Sequence, residues 1–481
     1  MNFLTFKIIL IITSLKVSLQ NDMIESLYEN CDHSKDSDSN YKNILVNIIC
    51  DGSKTNDSNG LPQRLIENHY SYNIKQLKLI NFNVSTIPDN YFNKLIIEKL
   101  DLRDNQIENL SSKTFSGIKG LDFLDLSDNF LVKIEKGIFS NLSSLTGLSI
   151  SKNLITHIEK DSFLYLNSLK SLDLSLNFFK EFDSSVLEPL KHNLENLILS
   201  NNKLEKFPDL SSLTEMNYID MSYNLISEID TKIPKKVKAL TISNNKIANI
   251  SSNIFNENSN LIFLDLSNNL ISDIEKNSFQ NLINLRILRL SHNLLSSIPN
   301  LSSMISLAEL DLSNQGSTMR HINEFALERD DLPISTLNRL DLSNNQIESF
   351  DKRAFCSKFG PFEVEYLVLD NNPIKSLDPC MFNQLQPARM TIFFNSNNQS
   401  NCDCEVVNYL SGLNINLFSD CDLNEMTRCS RTNVYQTNMC SDLGTYSCLP
   451  EKNDTILNSC SYLSISKFVV SFNILVLFII S

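Results

Sequence analysis

The stretch Leu261–Ile274, LIFLDLSNNLISDI, has the form L-x-x-L-x-L-x-x-N-x-I-x-x-I and recurs in close variants along most of the chain. Leu264 and Leu266 are two apart, as one face of a strand requires, whereas Leu261, Ile271 and Ile274 fit neither a continuing strand nor a 3.6-residue helix. The chain must therefore turn after Asn269. A buried Asn at that corner can donate through its amide and accept through its carbonyl, and so serve backbone groups that have no ladder partner.

Aligned on the first apolar position, the units begin at Ile74, Ile97, Leu121, Leu145, Leu169, Leu194, Met216, Val237, Leu261, Leu285, Leu307, Leu337 and Val364. The ninth position is Asn105, Asn129, Asn153, Asn177, Asn202, Asn224, Asn245, Asn269, Asn293, Asn345 or Asn372 in eleven of them, and Phe82 or Gln315 in the other two. This regularity predicts a stack of coils with a buried polar ladder. A partial unit at Met390–Asn395 can add a last rung. Eighteen residues after their unit's start lie Phe92, Phe115, Phe139, Phe163, Phe255, Phe279, Phe355 and Phe382, which are expected to fill the convex side.

The pattern and its usual 24-residue spacing resemble the typical leucine-rich repeats of animal extracellular proteins, the family that includes Toll-like receptor ectodomains, Slit, chaoptin and connectin. The resemblance runs from about Cys31 to Cys448. It implies an α/β solenoid: a curved horseshoe with a parallel concave sheet and disulfide-held terminal caps, binding ligands on the concave face or a flank. The organisation read from the chain is a leader at 1–20, an N-terminal cap at 21–73, the solenoid at 74–395, a cysteine-rich cap at 396–450, a stalk at 451–459 and a removable tail at 460–481.

The apolar run Ile8–Ile12 after Lys7 reads as a secretory signal peptide, with a short membrane anchor as the alternative. In a secreted chain, Cys31 and Cys50 imply a bridge that covers the first coil's open edge. Cys356 and Cys380 fall on successive units and are placed to bridge them. The resemblance to the family's C-terminal cap implies Cys402 with Cys429 and Cys404 with Cys448, leaving Cys421 with Cys440; a zinc cluster is the competing reading. The final run Phe468–Ile480 follows small residues and a polar spacer, the form of a glycosylphosphatidylinositol (GPI) signal. Ser459 is the expected lipid-bearing residue and Asn458 or Asn453 the alternatives. Cutting there removes Cys460 and leaves ten of the eleven cysteines. A membrane-spanning tail is the rival interpretation.

Formal net charge is −14, which argues against a nucleic-acid surface. No phosphate-binding glycine motif, metal cluster or nucleophile constellation is found, so neither a cofactor nor catalysis is expected. Sequons occur at Asn56, Asn83, Asn109, Asn141, Asn249, Asn300, Asn398 and Asn453, none on a predicted concave strand.

The fifth position carries Asp101, Asp125, Asp173, Asp220, Asp265, Asp311 and Asp341, which reads either as a structural column or as an acid–base or cation array. Apolar residues at positions left to solvent are Phe123, Tyr218, Ile262, Phe263 and Ile287. Phe263 is expected beside Ile287 and Ile262 beside Arg286, with Arg289 and His292 flanking. That cluster is either a binding patch or ordinary exposed residues with Arg289 paired to Asp265 or Asp311. The spacing fails between Leu307 and Leu337, where an enlarged coil is expected, either a solvated insertion or a projecting contact loop.

The resulting expectation is a protein-binding cell-surface molecule, held in the outer leaflet by a GPI lipid. It would act in adhesion or cell–cell recognition through its concave face, with homophilic binding open and a transmembrane co-receptor implied if it signals. The alternative is an innate-immune receptor or co-receptor without a signalling domain.

Overall fold

A computed structural model describes residues 31–35, 46–54, 61, 73–328, 335–357, 360–374, 378–382, 390–395, 410–413 and 415–419. The leader, the seven cysteines from Cys402 onward, and the sequons at Asn56, Asn398 and Asn453 lie outside the described residues, as does the tail with Ser459.

The repeats form one sheet, 18-stranded among the described residues. Each coil contributes a short strand, such as Phe263–Asp265, parallel to the strands of its neighbours. Alternation along the strand decides which side chains go where. Leu261, Leu264 and Leu266 are fully buried, while Phe263 faces the concave side. Each such leucine stabilises the fold by roughly 1.5–3 kcal/mol. Turns as well as strands are bonded to adjacent coils: Leu266 N–H donates to the Arg289 carbonyl at 2.9 Å, and Leu270 N–H to the Ile247 carbonyl at 2.9 Å. The convex side is built largely of turns, with a 3-10 helix at Ser184–Leu190.

The Asn ladder closes this hydrogen-bond network. Asn269 Nδ2 donates to the carbonyls of Ile242 at 3.0 Å, Leu266 at 3.1 Å and Ser267 at 3.2 Å, and its Oδ1 accepts from Ile247 N–H at 3.1 Å. The other ten ladder asparagines repeat the bond to the preceding coil and, like Asn269, are buried. Gln315 does the same work one methylene longer: its Nε2 donates to the Leu290 carbonyl at 2.8 Å and its Oε1 accepts from Leu295 N–H at 3.0 Å. Gln315 thus keeps the corner that the ladder asparagines make in the other coils. Phe82, buried, begins the series, its N–H donating to Asn105 Oδ1 at 2.8 Å.

The residue before each ladder position has a left-handed backbone, with φ from 54° at Asn268 to 59° at Asn371. Asn is tolerated there and supplies the first letter of the Asn-Asn pairs; Leu176 and Tyr223 occupy the same conformation without that tolerance. Tyr223→Asn should therefore raise stability by up to about 1 kcal/mol, seen as a higher melting temperature; an unchanged or lower value contradicts the strain argument.

All eight phenylalanines expected on the convex side are buried. Phe92, Phe115, Phe139 and Phe163 form a continuous stack with centroids 6.1, 6.4 and 6.1 Å apart. At the N-terminal end, Cys31–Lys35 pairs antiparallel with Val46–Asp51, which runs parallel to Asn73–Ile80. Cys31 and Cys50, opposite each other in that register, are disulfide-bonded. Cys356 and Cys380 are buried and each is in a disulfide. Past Thr391–Phe394, a further parallel strand at Asn416–Ser419 extends the sheet.

Candidate functional site

The concave cluster lies in register across neighbouring strands. Phe263 is beside Ile287, then Glu309 and Arg339; Asp265 is beside Arg289, then Asp311 and Asp341. The Ile262 carbonyl accepts from Arg286 N–H at 2.8 Å, which places those two residues side by side on the rim. Ile262 is 37% exposed and Arg286 and Arg289 are exposed, while Phe263 and Ile287 are half-buried. His292 is exposed at the left-handed corner of its coil.

Arg289 is shared between two partners. Its guanidinium carbon lies 5.2 Å from the Phe263 ring centroid, and its Nη1 is 3.8 Å from Asp265. Stacking on an aromatic face leaves the fork's outer donors available. Arg339, two strands away, donates to Asp341 at 2.7 Å. Asp265, Arg289, Asp311, Arg339 and Asp341 line a depression of about 400 Å³ with alternating charge. Arg339 was not singled out from sequence; its unit begins outside the regular spacing.

The other two aromatic candidates separate. Tyr218 is joined to Phe263 through Ala239, two strands on, about 10 Å at ordinary strand spacing. Its hydroxyl pKa is pushed up to about 12, first by burial and then by the Asp220 charge, against a hydrogen bond with Thr241. Phe123, 37% exposed, stands six strands from Phe263, about 30 Å away by the same spacing. A Cβ on Gly147 would come within 2.6 Å of its ring. Gly147 is what lets the ring lie flat over the next strand, a close approach that only a residue without Cβ permits.

The aspartate column is structural. Asp125, Asp173, Asp220, Asp265, Asp311 and Asp341 each accept the N–H of the serine two residues on, at 2.9 to 3.0 Å, and so cap the turn. Asp101 accepts from Arg103 N–H in the same way; burial raises its pKa, opposed by that bond and by the Arg103 charge.

One trio that sequence reading did not join is brought together at a coil edge. His321 Nδ1 is 2.8 Å from Ser349 Oγ, and its Nε2 is 3.3 Å from Asp351. The imidazole is 41% and the carboxylate 48% exposed. Proton-transfer groups are tuned by burial, so this trio reads as an edge clasp between coils rather than a nucleophile. The described sequons Asn83, Asn109, Asn141, Asn249 and Asn300 are all exposed and off the concave strands Phe123–Asp125 to Glu309–Asp311.

Comparison with known proteins follows the same repeats. A leucine rich repeat model matches residues 72–131, 124–179, 235–295 and 264–316, and a second matches 336–357. Lumican of Rattus norvegicus is 31% identical over 232 residues, and human lumican 32% over 232. Each alignment covers 42% of this chain, and the chain spans 59% of lumican's length. Among solved structures, the leucine-rich repeat domain of APL1B shows 23% identity and a TM-score of 0.49, covering 66% of this chain and 86% of that one. The Drosophila Toll–Spätzle complex shows 17% identity and a TM-score of 0.48, covering 74% and 59%. Repeat, ladder and family models agree: this chain is a leucine-rich repeat solenoid, similar to lumican over part of its length.

Proposed function

We propose that this chain is a protein-binding scaffold of the cell surface, held by a GPI lipid at Ser459 and acting in adhesion or cell–cell recognition through its concave face. The observation that carries the reading is the cluster Ile262, Phe263, Arg286, Ile287 and Arg289. Apolar area and partly uncommitted guanidinium groups share adjacent strands there, the combination that anchors protein interfaces. The neighbouring depression is lined by carboxylates and guanidinium groups, which suits a protein partner better than a lipid chain.

Reversing charge with Arg286→Glu and Arg289→Glu together should weaken binding of the full chain to partner-bearing cells by about 10- to 100-fold, with normal secretion. Unchanged binding retires the patch.

A further inference from the structure

The flank after each ladder Asn carries a second, different surface. At the tenth position of their coils Phe130, Leu154, Phe178, Leu225, Leu270 and Leu294 are between 38% and 50% exposed. A row of large apolar side chains is unlike the scattered ones that need no explanation. Phe178 has a partner within the chain, since Lys203 Nζ lies 4.5 Å from its ring centroid. At the N-terminal end of the row a shallow groove of about 380 Å³ is lined by Glu108, Asn109, Phe130, Val132 and Leu154. Asn109 opens the sequon Asn109-Leu110-Ser111. One wall of the apolar groove is therefore itself a point of sugar attachment.

The same arrangement recurs further along the stack. Phe130 N–H donates to the Ile107 carbonyl at 2.9 Å, and Asn109 stands two residues after Ile107. Leu270 N–H donates to the Ile247 carbonyl at 2.9 Å, and Asn249, of the sequon Asn249-Ile250-Ser251, stands two residues after Ile247. One coil on, Leu154 and Leu294 continue each pair, bonded in the same way to the carbonyls of Leu131 and Ile271. Both sequon asparagines are exposed. Asn83, an exposed sequon on the same flank, differs: its neighbour on the next coil is polar, Gln106, whose Nε2 donates to Asn83 Oδ1 at 3.1 Å. A pyranose presents C–H groups on its face and hydroxyls at its rim, so it can cover a phenyl ring or a leucine while its polar groups stay in water. Its covalent tether holds it beside the groove at high effective concentration, and a weak contact then suffices.

We propose that the apolar groove is the bed of the chain's own carbohydrate: the first N-acetylglucosamine on Asn109 lies against Phe130, Val132 and Leu154, and the one on Asn249 lies against Leu270 and Leu294. The sugar shields these side chains from water and is held in place by them. Carbohydrate then occupies this flank at two points of the stack and leaves the concave face to protein partners. The inference rests on passage of the chain through the secretory pathway, and on neither the lipid anchor nor the concave patch.

The test uses the full chain made in animal cells, with the occupancy of each sequon read first by peptide mass. The native protein is then treated with a glycosidase that cuts the sugar from Asn and leaves Asp, so that release is followed site by site as a mass shift. Asn83 should be freed fastest, and Asn109 and Asn249 about tenfold more slowly, the factor that a docking preference of about 1.4 kcal/mol gives. Phe130→Ser should bring Asn109 to the rate of Asn83 and leave Asn249 slow; Leu270→Ser should do the reverse. An Asn109 without sugar overturns the proposal, as does release from Asn109 as fast as from Asn83. So does a Phe130→Ser protein in which Asn109 stays slow, or one in which Asn249 speeds up equally, since that would report a loosened fold. If Phe130→Ser is not secreted, Val132→Ser is read in the same way, with the same outcomes deciding. Because no partner and no membrane enters the assay, its result is separate from the fate of the anchor and of the concave patch.

Discussion

Phe139→Ala should lower stability by about 3–5 kcal/mol. Phe139 is fully enclosed between Phe115 and Phe163, with ring planes within 19° and 15° of its neighbours. Truncation removes transfer free energy and leaves a void that neither flanking ring can enter without leaving its own coil. Because coils contact only their neighbours, the damage should be local first. Amide exchange should rise in the coils around residues 115–163 before the remainder, and secretion should fall. An alanine variant with wild-type melting temperature and exchange would mean that the convex stack contributes little.

Asn269→Leu should be as severe for a different reason. Leucine fits the volume, so the loss is not of packing. It leaves the Ile247 N–H and the Ile242 carbonyl without the partners seen at 3.1 and 3.0 Å, and each buried unpaired group costs about 1–3 kcal/mol. Asn269→Gln should be milder, since Gln315 spans the same gap in its own coil, at the expense of fitting one more methylene. The expected order of melting temperatures and secreted yield is wild type, then Gln, then Leu. A leucine variant secreted and melting like wild type would contradict the role given to the ladder.

The parts of this fold that were legible in the sequence are those set by period. Leu264 and Leu266 on one face, Asn269 at the corner and Phe279 on the convex side each follow from spacing alone, because a solenoid repeats its environment every coil. What spacing could not convey is contact that depends on one coil's particular neighbour. Gln315 looked like a break in the ladder because residue type, not reach, was read; the extra methylene restores the bond. Gly147 was passed over because its purpose is to leave room for Phe123 on the previous strand. The left-handed corner is visible in Asn-Asn pairs and hidden where Leu176 or Tyr223 occupies it. The strand Asn416–Ser419 carries no repeat signature and is recruited by the open edge of Thr391–Phe394. The concave cluster was expected from Phe263 and Arg289, but the alternating charge completed by Arg339 needed the register of the irregular coil. The apolar flank went unread because Phe130, Leu154 and Phe178 fall at a position that the repeat leaves free.

The claim on which the functional account turns is that this scaffold acts from a cell surface by binding protein on another cell. It is tested by displaying the full chain on non-adherent cells and following aggregation before and after a phospholipase that cuts GPI. Mixing the displaying cells with each other and with candidate partner cells covers homophilic and heterophilic contact. The account predicts that the enzyme releases the protein into the medium and disperses the aggregates. Protein that stays on the cells after treatment, or aggregates that persist once it has been released, would contradict it.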